Sequence, residues 1–221
     1  MSTASDGFIH RFVAGTNTAA PPLLLLHGTG GSENDLLTLG REIAPGAALL
    51  SPRGKVSEGG MARFFRRFSE GVFDQADLAA RTEELAAWIQ AVTAENKIDA
   101  TRLIAFGFSN GANIAASLLL RRPEVLAGAI LIRAMVPFVP EKQTRTLEGK
   151  SVLLLNGRAD PIVPLNQPEE LATILRNAGA EVELHWERAG HNLTAEDLIV
   201  STRWMESLQS PAASGLKHSA K

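Results

Sequence analysis

Leu103-Ile104-Ala105-Phe106-Gly107-Phe108-Ser109-Asn110-Gly111-Ala112-Asn113-Ile114 reads as a short apolar strand, an abrupt turn at Ser109 and the first turns of a helix. Residues 103–108 carry no charged or hydrogen-bonding side chain, as suits a strand buried on both faces. From Asn110, helix-forming Ala and Leu continue to Arg122, where Pro123 interrupts the pattern. Gly107 and Gly111 bracket the serine as G-x-S-x-G. Side chains at those two places would collide with the adjoining strand and helix, and such a turn strains the serine while lifting its hydroxyl into solvent. In a chain with 19 glycines the bare pattern says little, and a serine serving only as helix N-cap would produce it too. Its place between strand and helix gives it weight.

Outward from this unit, short apolar runs alternate with stretches of helical period and no internal repeat. Strands are expected at 8–13, 23–26, 47–50, 129–132, 152–155 and, more exposed, at 181–186. Helices are expected at 35–43, 74–95, 168–178 and from Thr194 to about Leu208. Alternation of this kind forces right-handed crossovers and covers both sheet faces with helices. It predicts a three-layer α/β sandwich on a mostly parallel sheet, with chemistry at the carboxyl ends of the strands. One domain is expected over residues 1–209, with 210–221, poor in apolar residues, as a flexible tail.

Composition narrows the function. Of 221 residues, 45% are hydrophobic and 21% charged, as in ordinary globular proteins, so a disordered, collagenous or coiled-coil chain is excluded. Twenty-two Lys and Arg against 24 Asp and Glu leave a net charge of -2, with no general attraction to nucleic acid or anionic membrane. No apolar run approaches the ~20 residues of a membrane span. Met1 to Gly7 lacks the basic and apolar parts of a secretory leader, which makes the cytoplasm the expected location. Without cysteine, the chain has no thiolate nucleophile, disulfide or thiolate metal site.

A serine hydroxyl is a poor nucleophile unless a histidine takes its proton and a carboxylate orients that histidine. Of five histidines, His10 falls in the first strand, His185 alternates within a strand and His218 lies in the tail. His27 opens His27-Gly28-Thr29-Gly30-Gly31, a loop better suited to offering backbone N–H groups to a developing negative charge. His191 follows Ala189-Gly190 after the last strand, at the sheet end where Ser109 is expected, and is the leading base. Asp160 follows strand 152–155 and is the leading acid, although capping the turn before Pro161 is an alternative role. Glu196 and Asp197 sit in the first turn of the last helix, where acids are expected for dipole reasons alone.

The segments Leu23 to Gly31, Gly107 to Gly111, Gly157-Arg158-Ala159-Asp160-Pro161-Ile162-Val163-Pro164 and Ala189-Gly190-His191 resemble, in order and spacing, the α/β-hydrolases. They are similar to the small carboxylesterase, phospholipase and acyl-protein-thioesterase-like group over about residues 21–208. Pro52-Arg53-Gly54, Arg63 to Arg67 and Phe73-Asp74 further resemble bacterial esterases often found near hydroquinone or aromatic-degradation genes. The resemblance implies Ser109 as nucleophile, Asp160 as acid, His191 as base and oxyanion-hole amides from Thr29 and Asn110. It implies a small-molecule ester as substrate, no metal or cofactor, and a possible homodimer. Asn110 stands where the thioesterases of the group usually carry glutamine, which argues against action on lipidated proteins.

Only residues 133–150 separate the strand after the motif helix from the next strand, too few for a cap domain. The long loop 52–73, with Met61, Phe64, Phe65, Phe68 and Phe73, is the expected cover and the candidate wall of an acyl or aromatic pocket. Its Arg53, Lys55, Arg63, Arg66 and Arg67 would favour an anionic substrate or product. The same mixture also describes a short amphipathic helix with solvated arginines and core phenylalanines. Met135 and Phe138 are candidates for the opposite wall, with ordinary surface packing as the alternative, and Ile162 beside Asp160 completes the candidate pocket. A catalytically silent binding protein or an acyltransferase on the same scaffold remains open. Serine at the turn disfavours dehalogenase and dienelactone chemistry.

Overall fold

The computed structural model describes residues 7–142 and 146–209; the expected tail, 210–221, lies outside the described residues. The first three strands are β1 (His10–Val13), β2 (Leu23–Leu26) and β3 (Leu49–Pro52), with α1 (Leu37–Ile43) between the last two. Then come four short strands, β4 (Val56–Glu58), β5 (Met61–Arg63), β6 (Arg67–Ser69) and β7 (Val72–Phe73), followed by α2 (Gln75–Glu95). The remainder alternates: β8 (Ile104–Phe108), α3 (Asn110–Arg121), β9 (Gly128–Ile132), β10 (Ser151–Gly157), α4 (Asn166–Asn177), β11 (Glu181–Glu187) and α5 (Ala195–Gln209).

Seven strands form the central sheet in the order β1-β3-β2-β8-β9-β10-β11. All neighbours are parallel except β1, which pairs antiparallel with β3 at one edge. The run Leu23-Leu24-Leu25-Leu26 shows why the interior strands are uniformly apolar. Leu24 and Leu26 enter the core beneath α2, α3 and α4, while Leu23 and Leu25 enter the core beneath α1 and α5. Helices thus cover both faces, as expected of an α/β-hydrolase sandwich. Between β9 and β10 the described residues form no helix or strand, and no cap domain stands over the strand ends.

Segment 52–73 departs from both sequence readings, being neither a loop nor an amphipathic helix. It folds into two hairpins, β4–β5 and β6–β7, each closed by a two-residue turn. Gly59 and Gly60 take φ of 57° and 86°, and Gly71 takes 72°, the left-handed values that tight hairpin turns require and glycine accepts without strain. Asp74 then caps α2 by accepting the Asp77 N–H at 3.1 Å.

Candidate active site

The β8–α3 turn stores strain at its centre. Ser109 has φ 52° and ψ −115°, unusual for a residue with a Cβ, and is held there by its N–H bonding to Ile132 O at 2.9 Å. Both bracketing glycines are sterically demanded. A Cβ on Gly111 would lie 2.0 Å from Leu26 O, and one on Gly107 would lie 2.7 Å from Gly111 O. Ser109 Oγ is thereby lifted to 2.8 Å from His191 Nε2. On its far side His191 Nδ1 lies 2.8 Å from Asp160 Oδ2, and Asp160 Oδ1 accepts the N–H groups of Ile162 and Val163 at 2.8 and 3.0 Å. The Phe108 ring packs against the imidazole, with centroids 5.5 Å apart.

Histidine loops need fixing, and sequence reading missed what fixes this one. Arg133, directly after β9, is fully buried with φ 55°. Its Nε–H donates to Gly190 O at 3.0 Å and its Nη2 to Asn192 O at 3.0 Å, the carbonyls on either side of His191. Its charge is met by Glu187 at 2.6 Å and Asp197 at 2.9 Å, and Thr194 Oγ1 donates to Glu187. Burial pushes the Asp197 carboxyl up against the downward pull of Arg133, whereas Glu187 is held low by Arg133 and Thr194 despite its own burial. No local pattern announces this cluster; the only sequence cue is an arginine abutting Ala129-Ile130-Leu131-Ile132, which once buried must find partners. Asp197 therefore serves this pairing as well as its own helix.

The loop after β2 faces the turn. Gly30 N–H donates to Ala62 O at 2.9 Å, and the Thr29 N–H has no acceptor among the described residues. His27 is buried away from Ser109; Nε2 accepts the Gly54 N–H at 3.0 Å, so Nδ1 carries the proton and donates to Gly28 O at 2.7 Å. Burial lowers its pKa. Asn110 Oδ1 accepts the Phe64 N–H at 2.7 Å and ties the serine turn to the hairpin segment.

A cavity of about 380 Å³ opens over Ser109 and His191, lined also by Thr29, Met61, Arg63, Met135 and Ile162. Phe73, expected as part of the covering wall, lines it, and so does Phe108, which sequence reading placed only in the strand. Three expected pocket residues lie elsewhere, and a fourth is displaced. Phe64 and Phe65 are 1% and 0% exposed and belong to the core, packed on the His27 and Phe73 rings at 4.8 and 5.1 Å. Phe68 stands 75% exposed on β6, where strand alternation turns it from the core. Phe138 packs beside the core under the Arg121 guanidinium, 4.2 Å from its ring centroid. Among the described residues no group of three His, Asp or Glu side chains is arranged to hold a metal, and no helix is long and apolar enough to cross a membrane.

Fold and cavity together define the class: an α/β-hydrolase with serine, histidine and aspartate in hydrogen-bonded line at the strand ends. The phospholipase/carboxylesterase family model matches residues 9–202, and the chain belongs to that family. It is 47% identical over 182 residues to the putative hydrolase MhqD of Bacillus subtilis (strain 168), covering 82% of this chain and 90% of that one. The Bacillus cereus carboxylesterase superposes with a TM-score of 0.88 at 46% identity, over 90% of this chain and 94% of the other. YahD, solved with malic acid, gives a TM-score of 0.83 at 32% identity, over 89% and 97%. The chain is thus an esterase-type hydrolase acting on small molecules.

Proposed function

We propose that the protein is a serine carboxylesterase for small to medium esters. The observation that carries this reading is the unbroken line Ser109 Oγ, His191 Nε2, His191 Nδ1, Asp160 Oδ2, with 2.8 Å at each hydrogen bond, opening on a cavity. His191 removes the hydroxyl proton as Oγ attacks the ester carbonyl carbon, and the Thr29 and Asn110 N–H groups bind the oxyanion of the tetrahedral intermediate. His191 passes that proton to the departing alcohol, leaving Ser109 acylated. Water, deprotonated by His191, attacks the acyl carbon, and its proton returns to Ser109 as the carboxylic acid leaves. Asp160 holds the imidazole orientation and stabilises its charged form.

Cavity volume supports short or medium acyl chains. Malic acid in the YahD structure supports small polar substrate parts. The test is turnover of p-nitrophenyl esters from acetate to palmitate beside Ser109→Ala and His191→Ala. Loss of about four orders of magnitude or more in both variants is expected, with an optimum at short to medium chains. Turnover retained by Ser109→Ala overturns the mechanism. A folded wild type inert to every ester overturns the esterase reading.

A further inference from the structure

The cavity wall contains a buried guanidinium with hydrogen-bond donors to spare. Arg63 ends β5 with its side chain 3% exposed, in the same cavity as Ser109. Removing a guanidinium from water is costly unless its charge and donors are met. Fastening the neighbourhood uses two of its hydrogens: Nε–H donates to Phe65 O at 3.1 Å and Nη1 to Thr29 Oγ1 at 2.6 Å. The nearest carboxylate is Glu58, whose Oε2 lies 3.1 Å from Nε, but the single Nε–H is already given to Phe65. Glu58 is committed elsewhere, accepting from Arg67 Nε at 3.0 Å and Nη2 at 2.9 Å. Arg67 also holds Glu70 at 2.5 Å. Arg67 is therefore well supplied with negative charge, while the remaining Nη hydrogens of Arg63 have no acceptor among the described residues. Burial and the charge of Arg67 push the Arg63 pKa down against the upward pull of Glu58 and Glu70, though a guanidinium stays protonated.

We propose that Arg63 anchors a carboxylate of the substrate, so that the preferred esters are half-esters of short dicarboxylic acids. This rests on the reading of Ser109 as nucleophile and Thr29 as an oxyanion-hole residue. The bond from Nη1 to Thr29 Oγ1 places the guanidinium beside the residue whose N–H would hold the scissile carbonyl oxygen. With the carboxylate held by Arg63 and the scissile carbonyl by the neighbouring Thr29 N–H, the carbon chain between them is short. The free edge of Arg63 suits the paired oxygens of a carboxylate, which a planar guanidinium binds in bidentate fashion. Met135 and Ile162 leave an apolar wall for the rest of the substrate.

The test compares methyl hydrogen succinate with methyl levulinate, its near-isosteric neutral counterpart, by pH-stat at low salt. The wild type is expected to favour the anionic ester at least tenfold in kcat/KM, with the preference shrinking as salt is added. Arg63→Gln is expected to lose that preference tenfold or more, Arg63→Lys to lose part of it, and Arg67→Gln to lose less than Arg63→Gln. Equal or better turnover of the levulinate ester by the wild type overturns the proposal, as does a preference unchanged in Arg63→Gln or, should that variant not fold, in Arg63→Lys. A calorimetric titration of Ser109→Ala with both esters separates the two readings. Binding of the succinate ester alone upholds the anchor even if the wild type hydrolyses neither ester, an outcome that would overturn the esterase reading instead. Equal binding of both esters, or of neither, overturns the anchor.

Discussion

Two regions face the cavity and are held by opposite means. Ser109, Asp160 and His191 stand on strand ends and loops whose polar groups are closed off by the protein itself: Ile132 O takes the Ser109 N–H, Ile162 and Val163 hold Asp160, and Arg133 grips both flanks of His191. Segment 53–73 instead meets the cavity with ion pairs at its surface, where Glu58 and Glu70 are 38% and 51% exposed. Buried, fully paired networks fix geometry because every alternative leaves a polar group unsatisfied. Half-solvated ion pairs contribute little stability and exchange partners readily. Under the proposed mechanism, the contrast assigns reaction geometry to the sheet and substrate selection to the hairpins.

Removing Arg133 strikes the first region hardest. Arg133→Met strands Glu187 and Asp197 in the interior and leaves the Gly190 and Asn192 carbonyls without donors. A loss of about 3–5 kcal/mol is expected by urea unfolding. Adding Glu187→Gln and Asp197→Asn removes the uncompensated charges and should return much of that stability. Turnover should stay depressed, because His191 still lacks its two clamps. Recovery of full kcat in the triple variant would make Arg133 a stability element alone.

The phenylalanines sharpen the contrast within one segment. Phe65→Ala opens a hole in the core beside Phe73 and should cost about 3–5 kcal/mol, whereas Phe68→Ala, on an exposed strand face, should stay within about 0.5 kcal/mol. Similar urea midpoints for the two variants would show that the hairpin segment packs as one loose unit.

These residues also mark where the sequence stopped being legible. Uninterrupted apolar runs such as Leu23–Leu26 announce strands buried on both faces, and with helical periods between them the sandwich follows from local pattern. Ser109, Asp160 and His191 stand out because each reactive residue type lies within a few residues of the carboxyl end of a strand. The hairpins do not stand out, since strands of two or three residues are too short to show alternation, although Gly59-Gly60 and Gly71 were the cue. Phe64, Phe65 and Phe68 are chemically alike, and which of them are buried depends on tertiary contacts such as those of Phe64 with His27 and Phe65 with Phe73. Arg133 likewise acquires its meaning from Glu187 and Asp197, far along the chain.

His27 joins the two regions, and its titration tests the joint. Its Nε2 accepts from Gly54, at the start of the hairpin segment, and Nδ1–H donates to Gly28 in the loop after β2. Protonating Nε2 destroys its capacity to accept, so the folded state resists protonation, in keeping with the lowering of its pKa from 6.5 by burial. The unfolded chain binds that proton from about pH 6.5 downward, while the folded chain binds it only at lower pH. Stability from this group is therefore complete above pH 6.5 and is lost as pH falls toward the folded value, with a slope of at most about 1.4 kcal/mol per pH unit. Urea midpoints of the wild type between pH 8 and 5.5 should decline below pH 6.5 more steeply than those of His27→Gln, in which the side chain cannot titrate. Parallel curves would show that the link between hairpins and strand ends does not pass through His27, and would leave Asn110 and Phe64, bonded at 2.7 Å, as the tie between the two regions.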